Sequence, residues 1–136
     1  MKKTIEKENY LKTLYKMGEN SQAITVTSLA KHFSVSKSTV SNMIKKLVLM
    51  NLVDSKPYQP IFLTNSGKKI AIKIISKHRL IELYLFKKMQ FDLNEVHEIA
   101  EEIEHIKNKK FFNRMGEILG DIRIDPHGSI IPKCEF

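Results

Sequence analysis

Apolar positions recur every three or four residues through most of this chain, the pattern of amphipathic helices. Ile5, Leu11, Leu14, Tyr15 and Met17 share one side of a helix predicted over residues 5–17, with Gly18 as its stop. Residues 20–25 read as a polar connector. The next stretch divides into a short helix, a turn and a longer helix. Thr27 or Ser28 is the expected cap of the first, which runs to about Phe33. Ser34-Val35-Ser36 is the turn, and Ser36 caps a second helix from Lys37 to about Met50. The pattern then becomes two short β-like runs, Val53–Ser55 and Ile61–Leu63, around Lys56-Pro57-Tyr58-Gln59-Pro60. Two prolines suit the tip of a small hairpin, not a sheet interior. Thr64-Asn65-Ser66 opens a long helix through about Lys88, whose apolar side carries Ile70, Ile74, Ile75, Leu80, Ile81, Tyr84 and Leu85. Asn94 is the expected cap of a helix to about Ile106. Residues 109–119 form one more, with Phe111, Phe112, Met115, Ile118 and Leu119 on one face and Gly120 at its end. The tail from Asp121 to Phe136, with Pro126, Gly128 and Pro132, reads as mostly irregular.

The fold class that follows is mainly α. A winged helix-turn-helix occupies residues 1–75 and an all-helical domain residues 76–136. A chain of 136 residues fits one domain, or two small lobes. Lysines interrupt every apolar stretch, so no membrane span is expected. Glu6, Lys7 and Glu8 stand where a signal peptide needs its apolar stretch. The one cysteine, Cys134, excludes an internal disulfide framework and a cysteine-based zinc site. A reducing, cytoplasmic setting is expected.

Charge sharpens this picture. The formal net charge is +8, and it is unevenly spread. Residues 1–75 hold 13 basic and 4 acidic residues, and residues 76–136 hold 10 and 11. Between Ser21 and Ile75 the only acid is Asp54. A basic first half points to nucleic acid. In the helix-turn-helix, Ala30 is small enough for a close helix crossing, and Val40, Met43, Ile44 and Leu47 form the buried stripe of the second helix. Ser36, Lys37, Ser38, Thr39, Asn42, Lys45 and Lys46 are left as the DNA-facing set. Hydroxyls and an amide near the N-terminus of such a helix reach base edges, and the lysines reach phosphates. Lys56, Lys68 and Lys69 flank the wing. The plainer reading is a small helical core with a hydrophilic outside. Helix-turn-helix, wing and near-absence of acids together favour DNA.

The second half carries a different chemistry. His78 and Glu82 are spaced i,i+4 on the long helix. His97, Glu101, Glu104 and His105 fall within about a 100° arc of the next helix, opposite Val96, Ile99, Ile103 and Ile106. Two histidines and two glutamates on one strip, with a His/Glu pair on a neighbouring helix, suit one or two divalent-metal sites. The competing reading is a solvated face, which also accounts for Glu95, Glu98 and Glu102. Catalysis is not expected. His97-Glu98-Ile99-Ala100-Glu101 lacks the second histidine of H-E-x-x-H, and no phosphate-cradling glycine loop or G-x-S-x-G element is present.

These motifs, in this order, resemble the family of the diphtheria toxin repressor and the manganese transport regulator (DtxR/MntR). Lys37–Leu47 with Leu63-Thr64-x-x-Gly67 resembles its recognition helix and wing exit. His78-Arg79-Leu80-x-Glu82 resembles its H-x-L-x-E segment, and Glu101-x-x-Glu104-His105 its C/E-x-x-E-H metal segment. Asp125-Pro126-His127-Gly128-Ser129-Ile130-Ile131-Pro132 resembles its D-P-H-G-x-P-I-P ending. The resemblance implies a homodimeric repressor with Fe²⁺ or Mn²⁺ as corepressor. It places Glu101, Glu104 and His105 at a primary metal site, with Asn9 contributed by the first helix. It places His78, Glu82 and His97 at an ancillary site. It also implies a short form, because the chain ends eight residues after Gly128, where larger members carry an SH3-like domain. Asn9 stands where the family has Met or Asp, Lys12 where manganese-type members have Glu, and Ile131 where the ending has its first proline.

A metal-dependent repressor of metal-uptake genes is therefore expected, acting as a homodimer on a palindromic double-stranded operator. Phe111, Phe112, Met115 and Leu119 are the expected dimerisation residues. Carboxylate and imidazole donors favour Mn²⁺, with Fe²⁺ next. The alternative is a winged-helix regulator with lost or altered metal dependence. Its basis is Lys12, whose ammonium offers Glu101 or Glu104 a partner in place of a metal, leaving His78, Glu82 and His97 as the metal site.

Overall fold

The computed structural model describes residues 2–121 and 123–136. The elements run α1 (Lys2–Glu19), α2 (Val26–Phe33), α3 (Lys37–Leu49), β1 (Val53–Asp54), β2 (Phe62–Leu63), α4 (Asn65–Lys88), α5 (Val96–Ile103) and α6 (Lys109–Leu119). The chain divides into two compact units, one ending at Ala71 and the other running from Ile72 to Phe136, so α4 supplies residues to both.

The first unit is a winged helix-turn-helix. Thr25, not Thr27 or Ser28, caps α2. Its extended backbone lets Oγ1 accept the Ser28 N–H at 3.0 Å, while Ser28 Oγ accepts the Thr25 N–H at 2.9 Å. This reciprocal box satisfies two helix-end donors, and Ser28 is its third-residue partner instead of the cap. Ser34 ends α2 in the left-handed region at φ 54°, and its N–H reaches the carbonyls of Ala30 and Lys31. Ser36 then caps α3 through the Thr39 N–H at 3.1 Å. Leu29, Val40 and Leu47 are fully buried and share a core with Tyr10, Leu11 and Leu14. Tyr10 stacks on Phe33 with ring centroids 4.4 Å apart. The wing is the antiparallel pair β1–β2, with Val53 opposite Leu63 and Asp54 opposite Phe62. Thr64 closes it: its hydroxyl donates to the Asn51 carbonyl at 2.7 Å and accepts the Gly67 N–H at 3.1 Å, starting α4. A Cβ at Gly67 would lie 2.0 Å from the Leu52 carbonyl oxygen, so only glycine fits this approach.

The second unit packs α4, α5 and α6 around Leu80, Ile81, Leu83, Val96, Ala100 and Phe112. The α5 helix starts later and ends sooner than its pattern predicts. Asn94 does not cap it, because residues 92–95 form a turn in which Glu95 N–H reaches the Asp92 carbonyl and Glu95 Oε1 accepts the Asp92 N–H. Glu104 is the residue at its C-terminal end, and His105 lies in the turn that follows. Asn108 caps α6 by accepting the Phe111 N–H at 3.0 Å. Among its described residues the tail has neither helix nor extended strand, yet it is firmly held. Asp125 Oδ1 accepts the N–H groups of His127 and Ser129, at 2.9 and 2.8 Å. From α4, Arg79 donates to the Ile130 carbonyl at 2.6 Å and Ser76 to the Pro132 carbonyl at 2.7 Å, with Ile131 buried between them.

The four expected dimerisation residues of α6 differ in exposure. Phe112, Met115 and Leu119 are buried in their own unit's core, because their i, i+3, i+7 spacing lines them up on one face of the helix. The exposed apolar side of α6 is Phe111 and Ile118, 41% and 54% accessible. With Ile106 and Met89 they border an open apolar groove of about 650 Å³.

Candidate metal centre and nucleic-acid interface

The α3 helix turns outward the residues that its spacing predicts. Lys37, Ser38, Thr39, Asn42, Lys45 and Lys46 are all exposed, while Val40, Met43, Ile44 and Leu47 face inward. Ser36 is also exposed, but its hydroxyl is engaged, 3.1 Å from the Thr39 N–H and 2.9 Å from the Thr39 hydroxyl. Its first role is to cap the helix, with the Thr39 hydroxyl in the same contact, while Ser38 and Asn42 stand exposed beside them.

In the second unit α4 carries the buried donors. His78 is 1% exposed and Glu82, one turn on, is 2% exposed. His78 Nε2 lies 3.2 Å from Glu82 Oε1 and 3.2 Å from His97 Nδ1 of α5. His78 Nδ1 lies 3.3 Å from Glu104 Oε2, without hydrogen-bond alignment, and Glu104 is fully buried. Burial alone would pull the His78 imidazole down, but the carboxylates of Glu104 and Glu82 outweigh it and hold the group above its ordinary value. Burial likewise pushes Glu82 up, and His78, His127 and His97 outweigh it and hold its carboxyl below the usual range. The site therefore favours the ionised Glu82 carboxylate and the protonated His78 imidazole.

Around this core the helix geometry sorts the other candidates. Glu101 stands on the half-exposed side of α5, 2.8 Å from His97 Nε2. Glu104 turns inward, 3.7 Å from His105. Among the described residues, two triads bring one donor atom each within 4.8 Å of one another: His78, Glu82 and His97, and Glu82, Asp125 and His127. Asn9 is half-buried and Lys12 buried on α1, in the first unit.

Asp125 and His127 are the donors that helix spacing does not reveal. The Asp125 turn aims the His127 ring at α4, with Nδ1 3.4 Å from Glu82 Oε2. The signal available was Asp-x-His before Gly128, where an aspartate side chain closes a turn on its own backbone.

A divalent cation fits this donor set. Among the described residues, Glu82 Oε2 and His78 Nδ1 are buried without an aligned hydrogen-bond partner, a costly state that an ion relieves. The donors are carboxylate oxygen and imidazole nitrogen, suited to hard or borderline ions.

A winged helix with a bare recognition face, followed by a helical unit with a buried histidine–carboxylate centre, defines a metal-responsive DNA-binding protein. Comparison with known proteins specifies the class. Residues 3–61 match "Iron dependent repressor, N-terminal DNA binding domain", and residues 64–133 match "Iron dependent repressor, metal binding and dimerisation domain". The chain belongs to the iron-dependent repressor family, one of transcriptional repressors and not of enzymes. It is 30% identical over 125 residues to the diphtheria toxin repressor of Corynebacterium glutamicum, covering 92% of this chain and 55% of that one. It thus spans about half the length of that relative. The structure of the manganese regulator SloR is similar at TM-score 0.83 and 36% identity, over 96% of this chain and 60% of that one. A manganese-dependent transcriptional repressor in complex with manganese matches at TM-score 0.86 and 35% identity, over 93% and 58%. Among the described residues no helix is long and apolar enough to cross a membrane.

Proposed function

We propose that this chain is a divalent-metal-activated repressor that shuts down genes for uptake of Mn²⁺, with Fe²⁺ the next choice. The observation that carries the reading is the pair of buried carboxylates, Glu82 and Glu104, on either side of His78 in a unit of the family's metal-binding domain. Manganese is favoured by the donor chemistry and by the manganese-dependent proteins among its structural relatives. A bound divalent ion supplies positive charge that lets several ionised carboxylates share one buried site.

The chain's own residues do the rest. His78, Glu82 and His97 hold one set of donors, and Asp125 with His127 adds a second set on Glu82. Glu101, Glu104, His105 and Asn9 remain the set that the family resemblance points to. Ser38, Thr39 and Asn42 read base edges in the major groove, while Lys37, Lys45 and Lys46 meet phosphates. Two copies pair through the exposed apolar groove of the second unit, where Phe111, Ile118, Ile106 and Met89 leave water on docking. The pair then reads a palindromic operator, and the protein works in the cytoplasm beside the chromosome.

A mobility-shift titration tests this reading. After exhaustive chelation the protein should release operator DNA, and Mn²⁺ or Fe²⁺ should restore binding. The second reading, a regulator with lost or altered metal dependence, draws on Asn9 and Lys12, which offer no carboxylate where such donors are expected. Equal binding in excess chelator and in Mn²⁺ would establish that reading instead.

A further inference from the structure

The C-terminal end of α5 is a poor place for negative charge. The helix dipole already leaves partial negative charge on the closing carbonyls. Glu101, Glu102 and Glu104 crowd the same end, and no basic residue lies in the last turn of the helix. Backbone hydrogen bonds carry the chain onward into the turn that holds His105. The Glu104 N–H reaches the Ala100 carbonyl at 2.9 Å, and the Ile106 N–H reaches the Ile103 carbonyl at 3.0 Å.

The cation that α5 lacks comes from α4. Lys77, one residue before His78, is 7% exposed. Its Nζ donates to the Ile106 carbonyl at 3.1 Å and stands over the face of the buried Phe112 ring, 4.9 Å from its centroid. A lysine stem ordinarily carries its ammonium out to water. This one is turned inward, where a buried charge is costly and an aliphatic side chain would pack at lower cost. Filling space in the core therefore does not account for a lysine here. The ammonium joins three elements: α4 by its backbone, the turn after α5 through Ile106, and α6 through Phe112.

We propose that Lys77 is a positioning residue for the metal centre, a clamp on the turn that carries Glu104 and His105, so that both donors are set in place before an ion arrives. A donor set ordered in advance loses less conformational freedom on binding, which raises affinity. The charge of Lys77 acts the other way, because an ammonium near the site repels a cation. The sign of its effect on metal affinity therefore separates a clamp from a bare charge. The proposal rests on the reading that Glu104 and His105 belong to the metal set.

The test takes two readouts on the full chain: calorimetric Mn²⁺ titration, and hydrogen exchange of the amides of residues 104–108 in chelator. The variants are Lys77→Met, Lys77→Arg and His105→Ala, and the affinity followed is that of the site which His105→Ala loses. Methionine keeps a stem over Phe112 and removes the donor and the charge. Lys77→Met should bind Mn²⁺ about tenfold more weakly, the low end for an outer partner of a metal site. Its amides at 104–108 should exchange severalfold faster, with those of α2 and α3 unchanged. Lys77→Arg, which keeps charge and donor, should stay near the wild type in both. Unchanged or tighter Mn²⁺ binding by Lys77→Met overturns the proposal. So does weaker binding with exchange of the turn unaltered, or faster exchange with affinity unaltered, since a clamp moves the two together. Should Lys77→Met not fold, Lys77→Arg carries the test alone: the wild-type values support the clamp, and one readout moving without the other overturns it. Mn²⁺ binding by His105→Ala equal to the wild type at every site strikes instead at the metal reading of this turn, and the exchange data still report whether Lys77 holds it.

Discussion

Glu82 is the most exposing single position for the metal reading, because its carboxylate belongs to both donor triads. Its oxygens face three imidazoles: His78 at 3.2 Å, His127 at 3.4 Å and His97 at 3.6 Å. Glu82→Gln keeps the shape, removes the charge and turns one donor oxygen into an amide. Losing a supporting outer partner of a metal site costs about 10–100-fold in affinity. Losing a charged ligand shared by two donor sets should exceed the upper end, so a loss of at least about 100-fold, or ~2.7 kcal/mol, is expected. Without metal the change should be small, within about 1–2 kcal/mol, because Glu104 still faces His78 and only the Glu82 contact is weakened. Calorimetric Mn²⁺ titration measures the first quantity and chemical denaturation in chelator the second. Operator binding in graded Mn²⁺ should shift by the same factor. If Glu82→Gln binds Mn²⁺ within about threefold of the wild type, about 0.7 kcal/mol or less, while His105→Ala loses the activating metal, the buried cluster around Glu82 is not the activating site.

Further outcomes follow from the same geometry. The raised His78 group stabilises the metal-free fold below its ordinary value of 6.5, and that contribution is lost as pH rises through its folded value. In chelator, Tm should therefore fall as pH rises above neutrality, while the Tm gain from Mn²⁺ grows over the same range as protons stop competing for the site; a His78→Ala variant with the wild-type profile would disprove this. Gly67→Ala should cost several kcal/mol, because the added Cβ meets the Leu52 carbonyl oxygen, and a melting curve within a degree or two of wild type, on the usual scale of about 4–8 °C per kcal/mol, would contradict it. Phe111→Glu should give monomers with an intact fold by sedimentation and circular dichroism, whereas Phe112→Ala should cost about 3–5 kcal/mol of stability. Lys46→Ala should weaken binding to all DNA alike and lower the salt slope by about one unit.

Where the pattern reads well, side-chain direction follows from periodicity alone. The buried stripe Val40, Met43, Ile44 and Leu47 fixes which residues of α3 point outward. Periodicity gives the apolar face of α6 equally clearly, but not what covers it. Phe112, Met115 and Leu119 pack within their own unit, while Phe111 and Ile118 of the same helix are exposed. Helix ends are less legible. Thr25, Thr27 and Ser28 are all chemically able to cap α2, and the choice depends on a reciprocal pair of hydrogen bonds. Asp125 and His127 lie outside any helical period. They approach Glu82 only because Arg79 and Ser76 hold the carbonyls of Ile130 and Pro132, a tertiary contact with no periodic signature.

The solvated-face reading of the acidic second half is right for some residues and wrong for others, and burial separates them. Glu95, Glu98 and Glu102 are exposed, so water stabilises their charge and they need no further role. Glu82, Glu104 and Asp125 are 2%, 0% and 6% exposed. An ionised carboxylate in the interior carries a desolvation cost of several kcal/mol unless other groups offset it. Asp125 is offset by two backbone N–H groups, which makes it a turn residue as much as a donor. Glu82 is offset by three imidazoles, each of which is cationic only when it holds a proton. That is a centre whose charge balance is left to protons or to a metal. Hydrophobic residues at these positions would give a more stable helical bundle but no switch. The cost of burying these acids is thus the physical reason to assign them function, a reason that Glu95, Glu98 and Glu102 do not share.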